Sequence, residues 1–329
     1  MTVGKMQFPL SDTSASPWWL LLLGFTAGSS SGFWGVGGGW VITPALFILG
    51  FPLNIAVGTS LAFIYGQSIV STLKHRELGN VHLPLGLILS CGMIPGVEVG
   101  VRVIQRLKKV GEVEKVLGTF YIFFLLAIFI FTLWESLKAK RQTEGDKAVI
   151  RFKQPLQWLS LPPYIQVKEE NVPVTSVLGV GFITGFFAGL LGIGGGIINL
   201  PLLIYVIGLP TKEAVGTSLL SILIAGAYGT FSHSWQGNVE IIATYLLLAG
   251  GLVGARIGSL ATRYTPGVSI RLLFSLGIGA TSLSVALRMM GKVTISFLLI
   301  FGVAIIMCVI ILAYLLRGVY ERRNNNKVG

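Results

Sequence analysis

The sequence predicts an all-α polytopic membrane protein made of two pseudo-symmetric, inverted repeats, each with a glycine-broken helix pair that re-enters the membrane. Composition is the first reason: of 329 residues, 53% are hydrophobic and only 12% are charged, whereas soluble domains carry about 25% charged residues. The second reason is that several apolar runs approach the roughly 20 residues needed to cross a bilayer. The third is a glycine-rich pattern that occurs twice along the chain.

The internal repeat consists of aligned motifs. Residues 24–44 match residues 181–201 at an offset of 157, and they share a G-x-x-x-G-x-x-G-x-G-G-G run with a closing proline. One inserted residue then raises the offset to 158, which places the A-V-G-T-S-L block at Ala56 over the same block at Ala214. The H-x-x-x-G-N-V blocks at His75 and His233 keep this register. Two related halves in a membrane chain are typical of many transporter folds.

Each half is predicted to begin with a helix, break at the glycines, and continue with one short and three longer helices. The helices are expected at residues 18–34, 40–49, 55–73, 84–103 and 113–137, and then at 174–191, 197–207, 214–231, 241–260 and 269–289. A final helix at 293–316 has no counterpart. The chain thus divides into a first transmembrane repeat (1–137), a basic cytoplasmic linker (138–173), a second transmembrane repeat (174–289), and an extra helix with a basic tail (290–329).

The basic residues predict the orientation of the chain in a cell membrane. The positive-inside rule places both the linker and the tail in the cytoplasm, so an even number of crossings must separate them. Residues 197–207 are too short to span at 1.5 Å per residue, so each glycine-broken pair is expected to re-enter without a net crossing. The N-terminus is then extracytoplasmic. The basic loop 102–115 also falls outside, against the rule.

Several functional classes are excluded by what the sequence lacks. It has no H-E-x-x-H, no clustered Cys and His ligands, no G-x-S-x-G and no phosphate-loop lysine. We therefore predict that the protein is not an enzyme and holds no metal and no cofactor. The net charge of +12 does not indicate nucleic-acid binding, because that would need a basic face on a folded module, and no module is left over.

The glycine breaks are predicted to form the substrate site. Glycine adopts backbone angles that strain other residues, and a helix broken inside a membrane leaves polar backbone groups that need partners. The restarting helix directs free N–H groups at the break, and such a helix N-terminus binds anions. The expected binding residues are Gly37, Gly38, Gly39, Gly194, Gly195 and Gly196. Alternatively, these glycines only permit close packing of helices.

Polar side chains near the breaks are further candidates for substrate binding, because hydroxyls donate to anion oxygens without adding a fixed charge. These candidates are Ser30, Ser31, Thr59, Ser60, Thr217, Ser218 and Asn199. The alternative is that the hydroxyls bond back to carbonyls of their own helices. Any role of Asn199 is asymmetric, since the first repeat has Ile42 at that position.

Glycines at four-residue spacing form stripes in both halves. They lie at Gly24, Gly28 and Gly32 and at Gly92, Gly96 and Gly100, with counterparts in the second repeat. Such stripes let helix backbones approach closely in lipid, so their predicted role is packing.

Ionisable residues inside the predicted spans are few, and each is a functional candidate. Glu98 and Arg256 occupy equivalent positions. They either pair with each other, or Arg256 contacts the substrate while Glu98 handles a proton, or both extend to the membrane surface. His75 and His233 end equivalent helices. Because histidine titrates in the physiological range, they are candidates for proton coupling, with helix capping as the alternative.

The paired G-x-x-x-G-x-x-G-x-G-G-G runs and the A-V-G-T-S blocks resemble those of the TauE/SafE sulfite exporter family, also called the toluene sulfonate uptake permease family. The resemblance covers the chain apart from about 15 N-terminal residues, the linker and the tail. It implies a secondary transporter of small sulfur-containing anions such as sulfite, sulfonates or sulfoacetate, working by alternating access. An anion channel, a transporter of another small organic anion and a membrane-embedded accessory subunit are the alternatives. The expected partners are the anion and the lipid bilayer, and the coupling ion is either a proton or absent.

Overall fold

A computed structural model describes residues 4–141, 162–167, 170–265 and 267–328. Within these ranges the chain forms eleven helices and two short β-hairpins. The first half contains α1 (Pro17–Trp34), α2 (Gly39–Ile48), α3 (Leu53–Glu77), α4 (Leu83–Val110) and α5 (Val113–Arg141). The second half contains α6 (Val174–Leu191), α7 (Gly196–Tyr205), α8 (Thr211–Trp235), α9 (Ile241–Thr262) and α10 (Gly267–Met289), followed by α11 (Val293–Val328).

Every helix expected from the sequence is present, and each begins within three residues of its expected start. Eight of the described helices are long and apolar enough to cross a membrane: α3, α4, α5, α6, α8, α9, α10 and α11. The protein is therefore a multi-pass membrane protein. Helix α1 is not among the eight, although it is as long as α6, because Ser29, Ser30 and Ser31 lower its hydropathy.

A β-hairpin precedes the first helix of each half, which the sequence analysis did not predict. Strands β1 (Met6–Phe8) and β2 (Thr13–Ala15) pair antiparallel before α1. Strands β3 (Tyr164–Val167) and β4 (Glu170–Pro173) pair in the same way before α6. Most of the expected linker, residues 142–161, lies outside the described residues.

The glycine stripes join helices of opposite halves, which confirms that they serve packing. A Cβ atom on Gly24 would lie 2.0 Å from the Leu247 carbonyl oxygen, and one on Gly32 would lie 2.3 Å from that of Ala255. In the same way, the stripe of α4 lies against the backbone of α6 from Leu178 to Phe186. Contacting residue numbers rise together along both pairs, so α1 runs parallel to α9 and α4 runs parallel to α6.

Helices α3 and α8, which carry the A-V-G-T-S blocks, pack against each other in opposite directions. A Cβ atom on Gly58, near the start of α3, would lie 2.2 Å from the carbonyl oxygen of Asn238, just beyond the end of α8. Reciprocally, one on Gly216 would lie 2.2 Å from the carbonyl oxygen of Asn80, just beyond the end of α3. These two helices are the most buried of the eight long apolar helices.

Aromatic residues fill the space beside the first break. The ring of Trp34 contacts the rings of Trp40 and Phe274 at centroid distances of 5.4 and 5.9 Å. The Trp34 indole N–H donates to the Ile270 carbonyl oxygen at 2.9 Å. Because these side chains are almost completely buried, they fix the first break against α10.

Candidate functional site at the glycine breaks

Both breaks have the same backbone conformation. The φ angles are +73°, +91° and +75° at Gly35, Gly37 and Gly38, and +67°, +77° and +78° at Gly192, Gly194 and Gly195. Residues with a side chain rarely adopt such angles. In each turn a long helix ends, four residues follow, and a short helix begins. The glycine spacing that the two halves share therefore follows from the conformation of the turn.

The two breaks lie against each other. A Cβ atom on Gly39 would lie 2.1 Å from the Gly192 carbonyl oxygen, and one on Gly196 would lie 2.3 Å from the Cα atom of Val36. Residues 35–39 and 192–196 are all buried. A side chain at either glycine would thus separate the breaks, so the close approach explains the third consecutive glycine of each motif.

Serines of the A-V-G-T-S blocks hold the break of the opposite half. The Ser60 hydroxyl donates to the Gly192 carbonyl at 2.8 Å, and that carbonyl also accepts from the Thr43 hydroxyl at 3.2 Å. Symmetrically, the Ser218 hydroxyl donates to the Gly35 carbonyl at 2.8 Å. The sequence analysis considered only the substrate and the serine's own helix as partners. The carbonyls of the other half are a third possibility, and the one that the structure contains.

The threonines of the same blocks also bond across the halves. The Thr59 hydroxyl accepts from the Glu240 backbone N–H at 2.9 Å, and the Thr217 hydroxyl accepts from the His82 N–H at 3.0 Å. Both hydroxyls are fully buried. Their bonds fix the start of α9 and of α4, respectively, whereas the adjacent serines bond to the glycine turns.

The breaks leave unpaired backbone N–H groups. Among the described residues, no carbonyl or side chain accepts a hydrogen bond from the N–H groups of residues 36–40 or 193–197. Some of the neighbouring carbonyls do have partners: the Gly37 oxygen accepts from the Gln67 side chain at 3.3 Å, and the Gly38 and Gly195 oxygens accept from N–H groups in the first turns of α2 and α7. Because N–H groups are unpaired at the starts of α2 and α7, the local field at these two helix N-termini is positive.

Several buried polar groups beside the breaks have an open hydrogen-bonding position. Ser31 Oγ has no partner among the described residues, and neither does Trp40 Nε1. The Asn199 side chain donates to Ser221 Oγ at 3.2 Å, while its Oδ1 atom has no such partner. Ser30 is buried one residue away from Ser31. These groups could take up hydrogen bonds from or to a ligand without breaking existing ones.

Trp40 and Gln67 are polar residues at the breaks that were not among the candidates predicted from the sequence. Gln67 is fully buried and bonds to the first break, to Ser68 and to Ser71. Its place inside an apolar span is the signal that could have identified it, because a buried amide in a membrane needs partners. The second repeat has Ala225 at the equivalent position, so the polar environment differs between the two breaks.

One apolar side chain contacts both breaks. Methyl carbons of Ile64 would lie 3.1 Å from a Cβ atom on Gly37 and 3.1 Å from one on Gly194. Ile222, the residue equivalent to Ile64 in the second repeat, also approaches Gly37. Both isoleucines are fully buried, so the structure is closed between the two breaks.

Of the three alternatives for Glu98 and Arg256, the pairing of the two side chains is wrong. Glu98 instead forms an ion pair with Arg102 at 2.8 Å and accepts hydrogen bonds from Tyr228 at 2.9 Å and Ser232 at 3.0 Å. Arg256 is exposed on α9. The Glu98 carboxylate is therefore bonded by one residue of its own helix and by two residues of α8. Arg256 does not contact the breaks.

His75 and His233 are fully buried and bond to the helices that lead into the breaks. The His75 Nε2 atom lies 2.9 Å from the Gly32 carbonyl oxygen in α1, and the His233 Nε2 atom lies 3.0 Å from that of Gly189 in α6. Each histidine therefore connects the end of a long helix to the last turn before a break. Such a contact satisfies a polar group of the helix end.

Comparison with known proteins decides the family. The sequence profile of the family described as sulfite exporter TauE/SafE matches residues 20–285, which contain both breaks and both A-V-G-T-S blocks. The chain belongs to the TauE/SafE family.

Curated TauE/SafE relatives are similar over most of their length. YunE of Bacillus subtilis, a probable membrane transporter protein, is 29% identical over 254 residues, which cover 74% of this chain and 88% of that protein. YjnA of the same organism is 25% identical over 249 residues, covering 75% and 91%. A probable membrane transporter protein of Haemophilus influenzae is 26% identical over 294 residues, covering 82% and 97%. No solved structure shows a significant match to this chain.

Proposed function

We propose that this protein is a secondary transporter of small sulfur-containing anions, such as sulfite, sulfonates or sulfoacetate, and that the substrate binds between the two glycine breaks. The single observation that carries the proposal is the pair of adjacent breaks whose N–H groups lack acceptors. Oxyanions of sulfur present several acceptor oxygens, which match a cluster of donors. The family's description as a sulfite exporter supports this choice of substrate class.

The binding residues proposed are those of the breaks and the buried polar groups beside them. The N–H groups at the starts of α2 and α7 would supply the positive field. Trp40 Nε1 and the Ser31 hydroxyl would add donors, and Asn199 would give the second break a different chemistry from the first. Ser60 and Ser218 would act by holding the breaks in place, since their hydroxyl protons are used on carbonyls.

We further propose that the repeats are inverted in the membrane and that each glycine-broken pair is re-entrant. The antiparallel contacts between α3 and α8 support inversion, as does the length of α2 and α7, ten residues each. In this arrangement α1 with α2, and α6 with α7, enter from opposite sides without crossing. The linker and the tail then share the cytoplasmic side, and the β-hairpins extend both repeats at their N-terminal ends.

Alternating access fits the closed contact between the breaks better than an open channel. Ile64 contacts both breaks, so substrate passage requires these helices to separate on one side at a time. Such a movement is typical of transporters built from two repeats.

Flux into proteoliposomes tests the proposal. We expect the purified protein to accumulate sulfite, thiosulfate or a sulfonate with saturable kinetics, and the bound anion to raise the unfolding temperature. Downhill flux without saturation would instead indicate a channel. If none of these anions is bound or moved, the proposal is wrong and a membrane-embedded accessory role is favoured.

A further inference from the structure

The two buried histidines are equivalent at one ring nitrogen. In each, Nε2 lies about 3 Å from a backbone carbonyl oxygen, of Gly32 for His75 and of Gly189 for His233. A carbonyl can only accept a hydrogen bond, so Nε2 carries a proton in both rings. Each carbonyl belongs to the last turn of a helix, where the helix dipole favours a positive charge.

The other ring nitrogen distinguishes them. His75 Nδ1 accepts a hydrogen bond from the Asn80 side-chain amide at 3.3 Å. His233 Nδ1 has no partner among the described residues, although it is buried. The backbone does not cause this difference, because Asn80 N donates to the His75 carbonyl at 2.9 Å and Asn238 N donates to the His233 carbonyl at 3.0 Å.

The difference arises from what Asn238 binds instead. Its Oδ1 atom accepts from the Asn54 amide at 2.8 Å and from Lys108 Nζ at 3.4 Å. Its Nδ2 atom has no partner among the described residues. At the equivalent of Asn54 the second repeat has Lys212, so Asn80 has no such competitor and turns its amide to His75.

We propose that His233 is the proton-binding site of this transporter and that His75 stays neutral. The role of His233 in transport rests on the proposed function, whereas the protonation of its ring does not. A proton added to His233 occupies an unused lone pair, and the imidazolium then donates from Nε2 to the Gly189 carbonyl. A proton added to His75 would end the hydrogen bond that Nδ1 accepts from the Asn80 amide, and Asn80 would have to turn its oxygen to the ring.

The ionisable groups around His233 come from α4 and from the start of α9. Glu98 favours a positive charge at His233, although Arg102 offsets part of that effect through its ion pair with Glu98. Lys108 disfavours it, and Glu240 at the start of α9 accepts from the Leu10 and Ser11 N–H groups. Helix α6 contributes no charged residue, and α3 contributes none in the part that faces His233, residues 53–64.

Protonation of His233 would act on the second break alone. Gly189 lies one turn before Gly192, whose carbonyl is held by Ser60. The protonated Nδ1 would also need an acceptor, and Asn238 Oδ1 can serve only by leaving Asn54 or Lys108. The backbone carbonyl of Asn238 contacts Gly58 in α3. A movement of the Asn238 side chain would therefore bias the packing between α3 and α8 on one side of the protein.

Nitrogen NMR of the histidine rings tests this inference without any transport substrate. The chain contains three histidines, so the substitutions H75Q, H82Q and H233Q assign the signals in the full-length protein in lipid nanodiscs. In a titration over about pH 4–8, we expect the His233 ring to take up a proton before the His75 ring, which keeps its neutral Nε2–H form while His233 titrates. A His233 ring that stays neutral throughout, or a His75 ring that titrates in the same range, would overturn the proposal.

Transport then tests the coupling. Methanesulfonate is the probe, because it keeps its charge over this pH range. We expect an imposed proton gradient to change uptake by the wild type and by H75Q, and H233Q to lose that response. A response that survives in H233Q contradicts the coupling role. If the wild type moves no methanesulfonate, the proposed function fails for sulfonates, whereas the NMR titration still decides whether His233 binds the proton.

Discussion

Replacing the two A-V-G-T-S serines by alanine should give unequal losses of stability, although the residues are equivalent in sequence. Ser218→Ala removes the only hydrogen bond that the Gly35 carbonyl receives among the described residues. A buried carbonyl left without a partner costs about 1–3 kcal/mol. Ser60→Ala leaves the Gly192 carbonyl bonded to Thr43 at 3.2 Å, so only the net value of one bond is lost, about 0.5–1.5 kcal/mol.

Equilibrium unfolding in mixed micelles measures both losses, and anion uptake by the same variants measures the functional effect. Thr43→Val combined with Ser60→Ala should approach the loss of Ser218→Ala, because Gly192 then lacks both donors. Ser90→Ala is the control, since this buried serine bonds to the Gly86 carbonyl of its own helix, which keeps its helical partner. Equal losses for the two block serines, or losses no larger than the control, would refute the assignment of these serines to the breaks.

Three further predictions concern the breaks, the charged residues and the topology. Gly38→Val and Gly195→Val should abolish uptake without preventing membrane insertion, because a Cβ atom would lie 2.9 Å from an α1 carbonyl or 2.8 Å from an α4 methionine methyl. Gly79→Val, with a φ of +73° but open space, should preserve uptake. Arg256→Gln and Arg263→Gln should weaken anion binding to a similarly small extent, because both residues are exposed; isothermal titration would reveal a larger effect at Arg256 if it met substrate. Cysteines introduced into the linker and the tail should resist a membrane-impermeant thiol reagent added outside whole cells, and labelling there would contradict the topology.

The helices could be predicted because their signals are local, and the repeat could be predicted because its motifs recur at an almost fixed offset. Long apolar runs between glycines and prolines locate the starts of α3 to α6 and α8 to α11 within three residues, whereas α4 and α11 extend beyond their expected ends. The glycine breaks are equally explicit, since only glycine suits their positive φ angles. The helices and the glycine breaks depend mainly on the residue types within a few positions, and a single sequence contains that information.

The partners of individual side chains could not be predicted, because they depend on which helices meet. Glu98 illustrates this: repeat symmetry suggested Arg256, but the fold brings Tyr228 and Ser232 of α8 to the carboxylate. The β-hairpins were missed for a different reason. Their strands are three or four residues long, which is too short for an alternating pattern to stand out.

The glycine stripes couple the assembly of the protein to the order of its synthesis. Each stripe on a helix made early is filled by backbone from a helix made late: α9 covers α1, and α6 covers α4. When the first half has left the ribosome, the glycine faces of α1 and α4 still lack the helices that cover them, and the first break lacks the serine hydroxyl of Ser218. A product truncated before α8 therefore cannot complete its own packing, and the native arrangement forms only after α9 has entered the bilayer.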